Sequence, residues 1–155
     1  GPERFIKEAA RAGLDAVIIP DLPPEAEPLF FKAAARADLH VILFVAPTTT
    51  PERLRFIIRR AHGFIYFVSL TGVTGARQSL AADLKSQIGR VKEITRIPVC
   101  AGFGISTPQQ ARLAASYGDG VIVGSAIVKK ISENKDRADL VRRVSRFAGR
   151  IASHV

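Results

Sequence analysis

Five short apolar segments recur along the chain, and each is followed by residues typical of loops or helix starts. They are Ala16–Pro20, Val41–Val45, Phe64–Val68, Pro98–Gly102 and Val121–Gly124. Each segment is continuous rather than alternating and is rich in β-branched residues, a pattern typical of parallel strands covered on both faces. Their spacing is close to the roughly 31 residues per unit of an eight-stranded (β/α) barrel.

Helical patterns separate these segments. They lie at Glu3–Ala12, Glu25–Ala37, Ser79–Thr95 and Ser125–Asn134, and an amphipathic pattern follows around Val141, Val144 and Phe147. Two further helices begin with capping signals and a first-turn proline, at Thr49–Glu52 and Ser106–Gln109. The chain is therefore predicted to alternate helix and strand, with right-handed crossovers between parallel strands.

The fold class that follows is α/β, a parallel sheet built from (βα) units. We predict a single domain over residues 1–155, a partial barrel with five of the eight strands of a TIM-type (β/α)8 barrel. The alternative is a rearranged, flavodoxin-like doubly wound sheet. In the partial barrel, unpaired edges at Ala16–Pro20 and Val121–Gly124 and an exposed apolar inner face invite pairing, either as a homo-oligomer or with an N-terminal piece.

Composition narrows the class of protein. Hydrophobic residues make up 47% and charged residues 24%, as in globular proteins, and no apolar run reaches the ~20 residues of a membrane span. Cys100 is the only cysteine, which excludes an internal disulfide and fits a cytoplasmic protein. The net charge of +9 is concentrated late in the chain, where it indicates a solvated basic helix face. Nucleic-acid binding stays a minor alternative, because aromatic residues make up only 7%.

The loops after the last two strands carry glycine and hydroxyl residues. Gly104 and Gly124 permit close approach of an anion to the backbone, and Ser125 opens a helix that it is predicted to cap. Such loops bind phosphate in (β/α) barrels. The alternative is that Ser106 and Ser125 are ordinary helix caps and the glycines ordinary turn residues.

The third loop, Ser69 to Arg77, contains Thr74 and Gly75 and has two interpretations. It either closes over a ligand, with Gly75 adding an N–H group to the phosphate site, or it is a plain connection.

Groups for acid–base or metal chemistry are sparse. Asp21 is the one carboxylate that directly follows a strand, either as a catalytic acid or as a cap of the next helix. His40 and His62 are predicted to precede strands, and Cys100 to lie in the core. We expect no metal site, and neither an NAD fingerprint nor an ATP phosphate loop is present.

The strand-end segments together resemble one family. They are Pro20–Pro23, Ala46–Thr49, Gly63–Arg77, Gly102–Ser106 and Val123–Lys129. The chain is similar over almost its whole length to the last three-fifths or so of the tryptophan synthase alpha subunit. The resemblance implies retro-aldol cleavage of indole-3-glycerol phosphate to indole and glyceraldehyde 3-phosphate in tryptophan biosynthesis. It also implies that no cofactor is needed, since pyridoxal phosphate belongs to the beta subunit, which is the implied partner.

The same resemblance implies roles for individual residues. The substrate phosphate would be bound by Gly75, Gly104, Gly124 and Ser125. In the substrate pocket, Phe103 would pack near the indole and Tyr66 would line the wall. Thr74 would steady a catalytic aspartate, and Asp21 would couple the site to the partner. The catalytic glutamate and aspartate of the family come from its first strands, which have no counterpart in this sequence. We therefore expect the lyase activity of residues 1–155 alone to be negligible, so that whether the chain is an enzyme stays open. The alternative function is a non-catalytic (βα)5 scaffold for folding or self-assembly that retains a remnant phosphate site.

Overall fold

The computed structural model describes residues 1–68, 77–102 and 104–155, with a parallel sheet and a layer of helices. The strands are β1 (Ala16–Ile18), β2 (His40–Val45), β3 (Ile65–Val68), β4 (Val99–Gly102) and β5 (Gly120–Val121). The helices are α1 (Pro2–Arg11), α2 (Pro28–Arg36), α3 (Pro51–Ile58), α4 (Arg77–Lys92), α5 (Pro108–Ala115), α6 (Ser125–Ser132) and α7 (Leu140–Ala152). None of these helices, in the part of the chain that the structure describes, combines the length and the hydrophobicity that a membrane span requires.

The strands lie in the order β1-β2-β3-β4-β5, and every neighbouring pair is parallel. This is the sequential order of a barrel wall. A flavodoxin-like sheet instead reverses its strand order at a switch point. The doubly wound alternative is therefore wrong, and the prediction of five strands of a (β/α) barrel is confirmed.

One face of the sheet carries the helices. Register pairs on this face, such as Leu43 with Ile65 and Phe67 with Ala101, are almost fully buried. Most residues of the opposite parity are more open, and Ile18 is 44% exposed, although its register partner Ile42 is buried at 1%. The expectation of strands covered on both faces is therefore wrong for the described residues, because their helices pack against a single side; we call the other side the open face.

The helix layer is anchored by two buried clusters. The larger one joins β2–β4 to α3, α4, α5 and α7, with Ile65, Ile88 and Val99 completely buried. The smaller one joins α1 and α2 to the first two strands, and Phe31 contacts both clusters. In the described part of the chain β1 pairs only with β2 and β5 only with β4, so the two predicted sheet edges are present.

Local capping explains where several helices begin. Thr50 caps α3 by accepting the backbone N–H of Arg53, and Pro51 occupies the first turn. The predicted start of α2 at Glu25 is wrong, because the helix begins at Pro28. In a helix starting at Glu25, Pro28 would need to donate the first backbone hydrogen bond, and proline has no N–H.

The C-terminal helix α7 is amphipathic, as predicted. Phe147 packs against the larger cluster and Ile151 is buried, while Val141 points into solvent. At the start of this helix Asp139 forms ion pairs with Arg137, Arg142 and Arg143. The hydrogen bond from Arg143 is the main reason that the pKa of Asp139 lies far below its usual range.

Candidate functional site

The loops that follow β4 and β5 leave the sheet side by side. Cys100 pairs with Gly120 and Ala101 with Val121, and the N–H of Ile122 donates to the carbonyl of Ala101 at 2.8 Å. Because parallel strands end at the same edge, both loops lie at the carboxyl end of the sheet, where ligands bind in barrels.

Glycine conformation shapes the first of these loops. Gly104 has a φ of +61°, in the left-handed region that side-chain-bearing residues rarely adopt. A Cβ built at Gly104 would meet no atom within 4 Å, so the requirement for glycine is conformational and not one of space. The turn leaves the backbone at Gly104 exposed to a ligand.

The second loop ends at the amino terminus of α6. Gly124 is the N-cap and Ser125 the first helical residue, so the prediction that Ser125 caps this helix is wrong. The helix turn begins with donation from Ile127 to the carbonyl of Gly124, and the amides of Ser125 and Ala126 make no hydrogen bond to any described residue. Free amides at the positive end of a helix, with an exposed hydroxyl beside them, form a suitable site for an anion.

Ser106 does not cap α5 either. Thr107 is the N-cap, and it forms a reciprocal capping box with Gln110. The Gln110 side-chain oxygen also accepts the Ser106 N–H at 2.8 Å and its hydroxyl at 3.0 Å. Gln110 thus holds the chain just after Gly104 in place, a role that its i+3 spacing from Thr107 indicates.

Aromatic side chains line the open face close to these loops. Tyr66 of β3 stacks on Phe44 of β2, with ring centroids 5.0 Å apart and an interplanar angle of 28°. Both side chains are half-buried. The Tyr66 ring lies over Gly102, the last residue of β4, whose missing side chain leaves room for it. The sequence singled out Tyr66 and missed Phe44, which has no signal of its own inside a continuous apolar segment.

Asp21 is exposed at the mouth of a cavity of about 410 Å³ at the carboxyl ends of β2 and β3. It makes no hydrogen bond to α2, which begins seven residues later, so the alternative that it caps this helix is wrong. Beside it, Arg53 donates to Glu25 at 2.7 Å, and this hydrogen bond holds the pKa of Glu25 below its usual value.

The other titratable groups singled out lie elsewhere. His40 is the first residue of β2 and not a residue before it, and its ring stacks on that of His62. Cys100 is half-buried on the open face, and burial followed by the negative charge of Asp119 raises its thiol pKa. No group of three or more potential metal ligands occurs in the part of the chain that the structure describes.

Three predicted site residues are not placed. Thr74, Gly75 and Phe103 lie outside the described residues. Among the remaining candidates, Gly104, Gly124 and Ser125 share the loops after β4 and β5, and Tyr66 lies on the open face.

The sheet order, its single helix layer and the loops at its carboxyl end define a wall of a (β/α)8-barrel protein. The family model for the tryptophan synthase alpha chain matches residues 1–155. The chain therefore belongs to the tryptophan synthase alpha chain family.

Individual relatives agree with the family model. The tryptophan synthase alpha chain of Geobacter sulfurreducens is 47% identical over 147 residues, covering 95% of this chain and 55% of the relative. That of Gluconobacter oxydans is 44% identical over 143 residues, covering 92% of this chain and 53% of the relative.

Solved structures show the same correspondence. The alpha chain from Legionella pneumophila superposes with a TM-score of 0.86 at 32% identity, covering 99% of this chain and 56% of the other. A tryptophan synthase structure from Mycobacterium tuberculosis gives 0.86 at 37% identity, covering 100% and 57%. The chain spans about half the length of the curated relatives it matches.

Proposed function

We propose that residues 1–155 provide the phosphate-binding and aromatic side of a site for indole-3-glycerol phosphate. The reaction is a retro-aldol cleavage to indole and glyceraldehyde 3-phosphate. A proton is added to indole C3, the neighbouring hydroxyl loses its proton as it becomes the aldehyde, and the carbon–carbon bond breaks with its electron pair returning to the ring. The site must therefore hold the phosphate, hold the ring and supply two proton-transfer groups.

The observation that carries the proposal is the pair of loops after β4 and β5. Gly104 and Gly124 each lie three residues beyond the register pair Ala101 and Val121, so the loops start level with one another. The amides of Ser125 and Ala126, which make no hydrogen bond to any residue the structure describes, supply hydrogen-bond donors, and the amino terminus of α6 favours a dianion. We assign the substrate phosphate to this position, with Gly75 as a further donor.

The aromatic half of the substrate is assigned to the open face. The Phe44–Tyr66 stack offers a flat apolar surface at the same end of the sheet as the glycine loops. Aromatic rings pair favourably at centroid separations of about 4.5–7 Å, so an indole can add to this stack. From the resemblance we further propose that Phe103 packs near the indole and that Thr74 steadies a catalytic aspartate.

The reaction needs two acid–base side chains for proton transfer, and the described residues do not supply both. Asp21, three residues after the end of β1, is the one carboxylate in the described ranges that lies so close behind a strand, and it is exposed. We propose that Asp21 couples the site to the beta subunit, the partner that carries pyridoxal phosphate, and that this chain itself uses no cofactor. The catalytic carboxylates would come from the first strands of an alpha chain, so residues 1–155 alone are expected to be inactive.

The test is release of indole from indole-3-glycerol phosphate by highly purified chain, with and without a separately supplied N-terminal segment of an alpha chain. Activity that appears only with the segment supports the proposal. Activity without it would show that the proton-transfer groups lie within residues 1–155. If no indole is released in either condition and a non-cleavable indole alkyl phosphate does not bind, the non-catalytic scaffold is favoured instead.

A charge substitution tests the phosphate position directly. Ser125→Asp places a carboxylate at the amino terminus of α6 and should weaken binding of the indole alkyl phosphate at least tenfold, because it repels the dianion. Ser145→Asp is the matched control, since Ser145 is exposed on α7 and makes no side-chain hydrogen bond among the described residues. If both variants bind the indole alkyl phosphate equally well, the assignment of the phosphate to the amino terminus of α6 is wrong.

A further inference from the structure

A second cavity lies at the opposite end of the sheet from the glycine loops. It has a volume of about 480 Å³ and is bounded by α2, by the turn leading into β2 and by the loop between α3 and β3. Its size falls within the range of small-molecule sites. We call it the amino-end cavity, because His40, the first residue of β2, lies in its wall.

The floor of the amino-end cavity is apolar. Ala34 and Leu39 are 1% and 2% exposed, and Phe31 is half-buried beside them. The turn above this floor is held by a hydrogen bond from the Leu39 N–H to the carbonyl of Ala34 at 3.0 Å, with Asp38 at a φ of +52°. An apolar ring entering here would pack mainly against the half-buried Phe31, because Ala34 and Leu39 expose almost no surface.

The rim is positively charged. Lys32, Arg59 and Arg60 line it, and Asp38 is the one carboxylate among the described lining residues. Lys32 and Arg59 make no ion pair within the described part of the chain. Arg60 lies over the Phe56 ring at 3.7 Å and donates to the Phe56 carbonyl at 3.2 Å, which fixes its position.

Helix ends alone do not explain this charge. Basic residues after α3 offset the negative carboxyl end of that helix, which accounts for Arg59 and Arg60. Lys32 lies in the middle of α2, so the same reason does not apply to it. Cations from two different helices therefore converge on one cavity.

Two imidazoles add a flat surface to the wall. His40 and His62 are stacked with centroids 6.0 Å apart and an interplanar angle of 17°. Gly63, at a φ of +72°, turns the chain so that His62 faces His40, and a Cβ there would lie 3.2 Å from the Cδ1 of Ile42. Parallel rings at the edge of an apolar floor suit a planar aromatic group.

We propose that the amino-end cavity binds a small planar aromatic anion, with its ring on the apolar floor and its carboxylate or phosphate at Lys32 and Arg59. This site is separate from the phosphate position at α6, and it goes beyond the proposed lyase function. Because the two sites lie at opposite ends of the strands, either can fail in experiment while the other holds.

Titration of the purified chain with naphthalene-2-carboxylate, followed by backbone amide resonances, tests the proposal. We expect saturable shifts centred on Leu39, His40 and His62, and much weaker binding of the neutral naphthalene-2-carboxamide. Naphthalene-2-yl phosphate distinguishes the two anionic groups: shifts at the amino-end cavity support a shared anion site, and shifts only at α6 restrict this cavity to carboxylates. Equal binding of acid and amide, or shifts confined to the open face, would overturn the proposal.

Variants locate the charge that matters. Lys32→Gln with Arg59→Gln should weaken naphthalene-2-carboxylate binding about five- to tenfold, in keeping with two exposed ion pairs. Arg146→Gln with Arg150→Gln removes the same charge from α7 and should change binding less than twofold. Ala35→Glu, which adds a carboxylate at an exposed lining position of α2, should weaken binding similarly without removing any native contact. Equal losses in the α7 control and the cavity variants would show that only net charge matters and would overturn the assignment.

Discussion

The ring of Tyr66 lies over Gly102 on the open face of the sheet, at the end of β4. A Cβ built at Gly102 would lie 2.6 Å from the Tyr66 hydroxyl oxygen and 2.8 Å from its Cζ. The φ of Gly102 is not in the left-handed region, so glycine is needed here for space. The position of the ring, and with it the stack on Phe44, therefore depends on the absence of a side chain one strand away.

Gly102→Ala should displace the Tyr66 ring and weaken its stack on Phe44. Because the ring can swing towards the open face, we expect a loss of unfolding free energy of only about 1 kcal/mol, at the lower end of overpacking costs. The change should be clearer in the ring resonances of Tyr66 and in binding of an indole alkyl phosphate. Urea unfolding and proton spectra of this variant and the wild type measure both effects.

A double-mutant cycle identifies the cause. If the clash with the ring is responsible, Tyr66→Ala should remove most of the additional cost of Gly102→Ala, and the two effects should not add. Additive losses would mean that Gly102 matters for another reason.

Gly118 is constrained by backbone rather than by a side chain. A Cβ there would lie 2.7 Å from the carbonyl oxygen of Val99, at the start of β4. Backbone cannot rotate away, so Gly118→Ala should lower the unfolding free energy by about 1–3 kcal/mol. The midpoint of urea unfolding measures the change.

Gly149→Ala is the matched control, since this glycine lies inside α7 and a Cβ built there would meet no atom within 4 Å. The same substitution there should raise stability by about 0.5–1 kcal/mol, because alanine is the better helix former. Similar effects at both positions would contradict the steric explanation.

The loss of unfolding free energy on substituting Ile65 or Ile18 distinguishes the two faces of the sheet. Ile65 is completely buried under the helices, whereas Ile18 is 44% exposed on the open face. Ile65→Ala should cost about 2–5 kcal/mol, and Ile18→Ala well under half of that. Chemical denaturation of both variants provides the comparison, and equal losses would show that the open face is covered in solution, for instance by self-association.

The strands were predictable because their signal is local. Continuous β-branched segments located all five, and the capping signal Ser106–Gln109 indicated where α5 begins, although the capping box itself is formed by Thr107 and Gln110. The side of each strand that faces the helices was not predictable, because a segment such as Val41–Val45 is apolar at every position and carries no alternation.

Parts of the candidate site depend on longer-range geometry. Placing Gly124, and not Ser125, at the cap of α6 depends on the exact residue at which the backbone becomes helical, since serine and glycine both suit that position. The Phe44–Tyr66 stack depends on the register between β2 and β3. The resemblance supplied the roles of Thr74 and Phe103, the loop sequence itself suggested Gly75, and all three stay predictions.

Asp119 links three elements and should make stability depend on pH. The Asp119 carboxylate accepts hydrogen bonds from the Lys92 ammonium at 2.5 Å and from the Val99 backbone N–H at 2.9 Å. The backbone N–H of Asp119 donates in turn to the Val99 carbonyl at 2.8 Å. The hydrogen bond from Lys92, followed by that from Val99, lowers the pKa of Asp119 in the folded state.

The sign of the effect follows from that direction. A carboxyl whose pKa is lower in the folded state stabilises the fold fully above its unfolded pKa, and the contribution is lost as the pH falls through the folded pKa. Asp119→Asn should therefore lower the unfolding free energy at pH 7 by about 0.5–1 kcal/mol, a modest value because the pair is partly solvated. It should also flatten the loss of stability as the pH falls below the ordinary aspartate pKa of 3.8 and through the lower folded-state value, where the wild-type carboxylate becomes protonated.

Urea unfolding of the Asp119→Asn variant and the wild type, at several pH values between about 7 and 2, measures both effects. Asp136→Asn is the control, because Asp136 is exposed and makes no ion pair within the described residues. If the plots of unfolding free energy against pH for the wild type and Asp119→Asn stay parallel across this range, the Lys92 ion pair contributes nothing to the acid sensitivity of the fold.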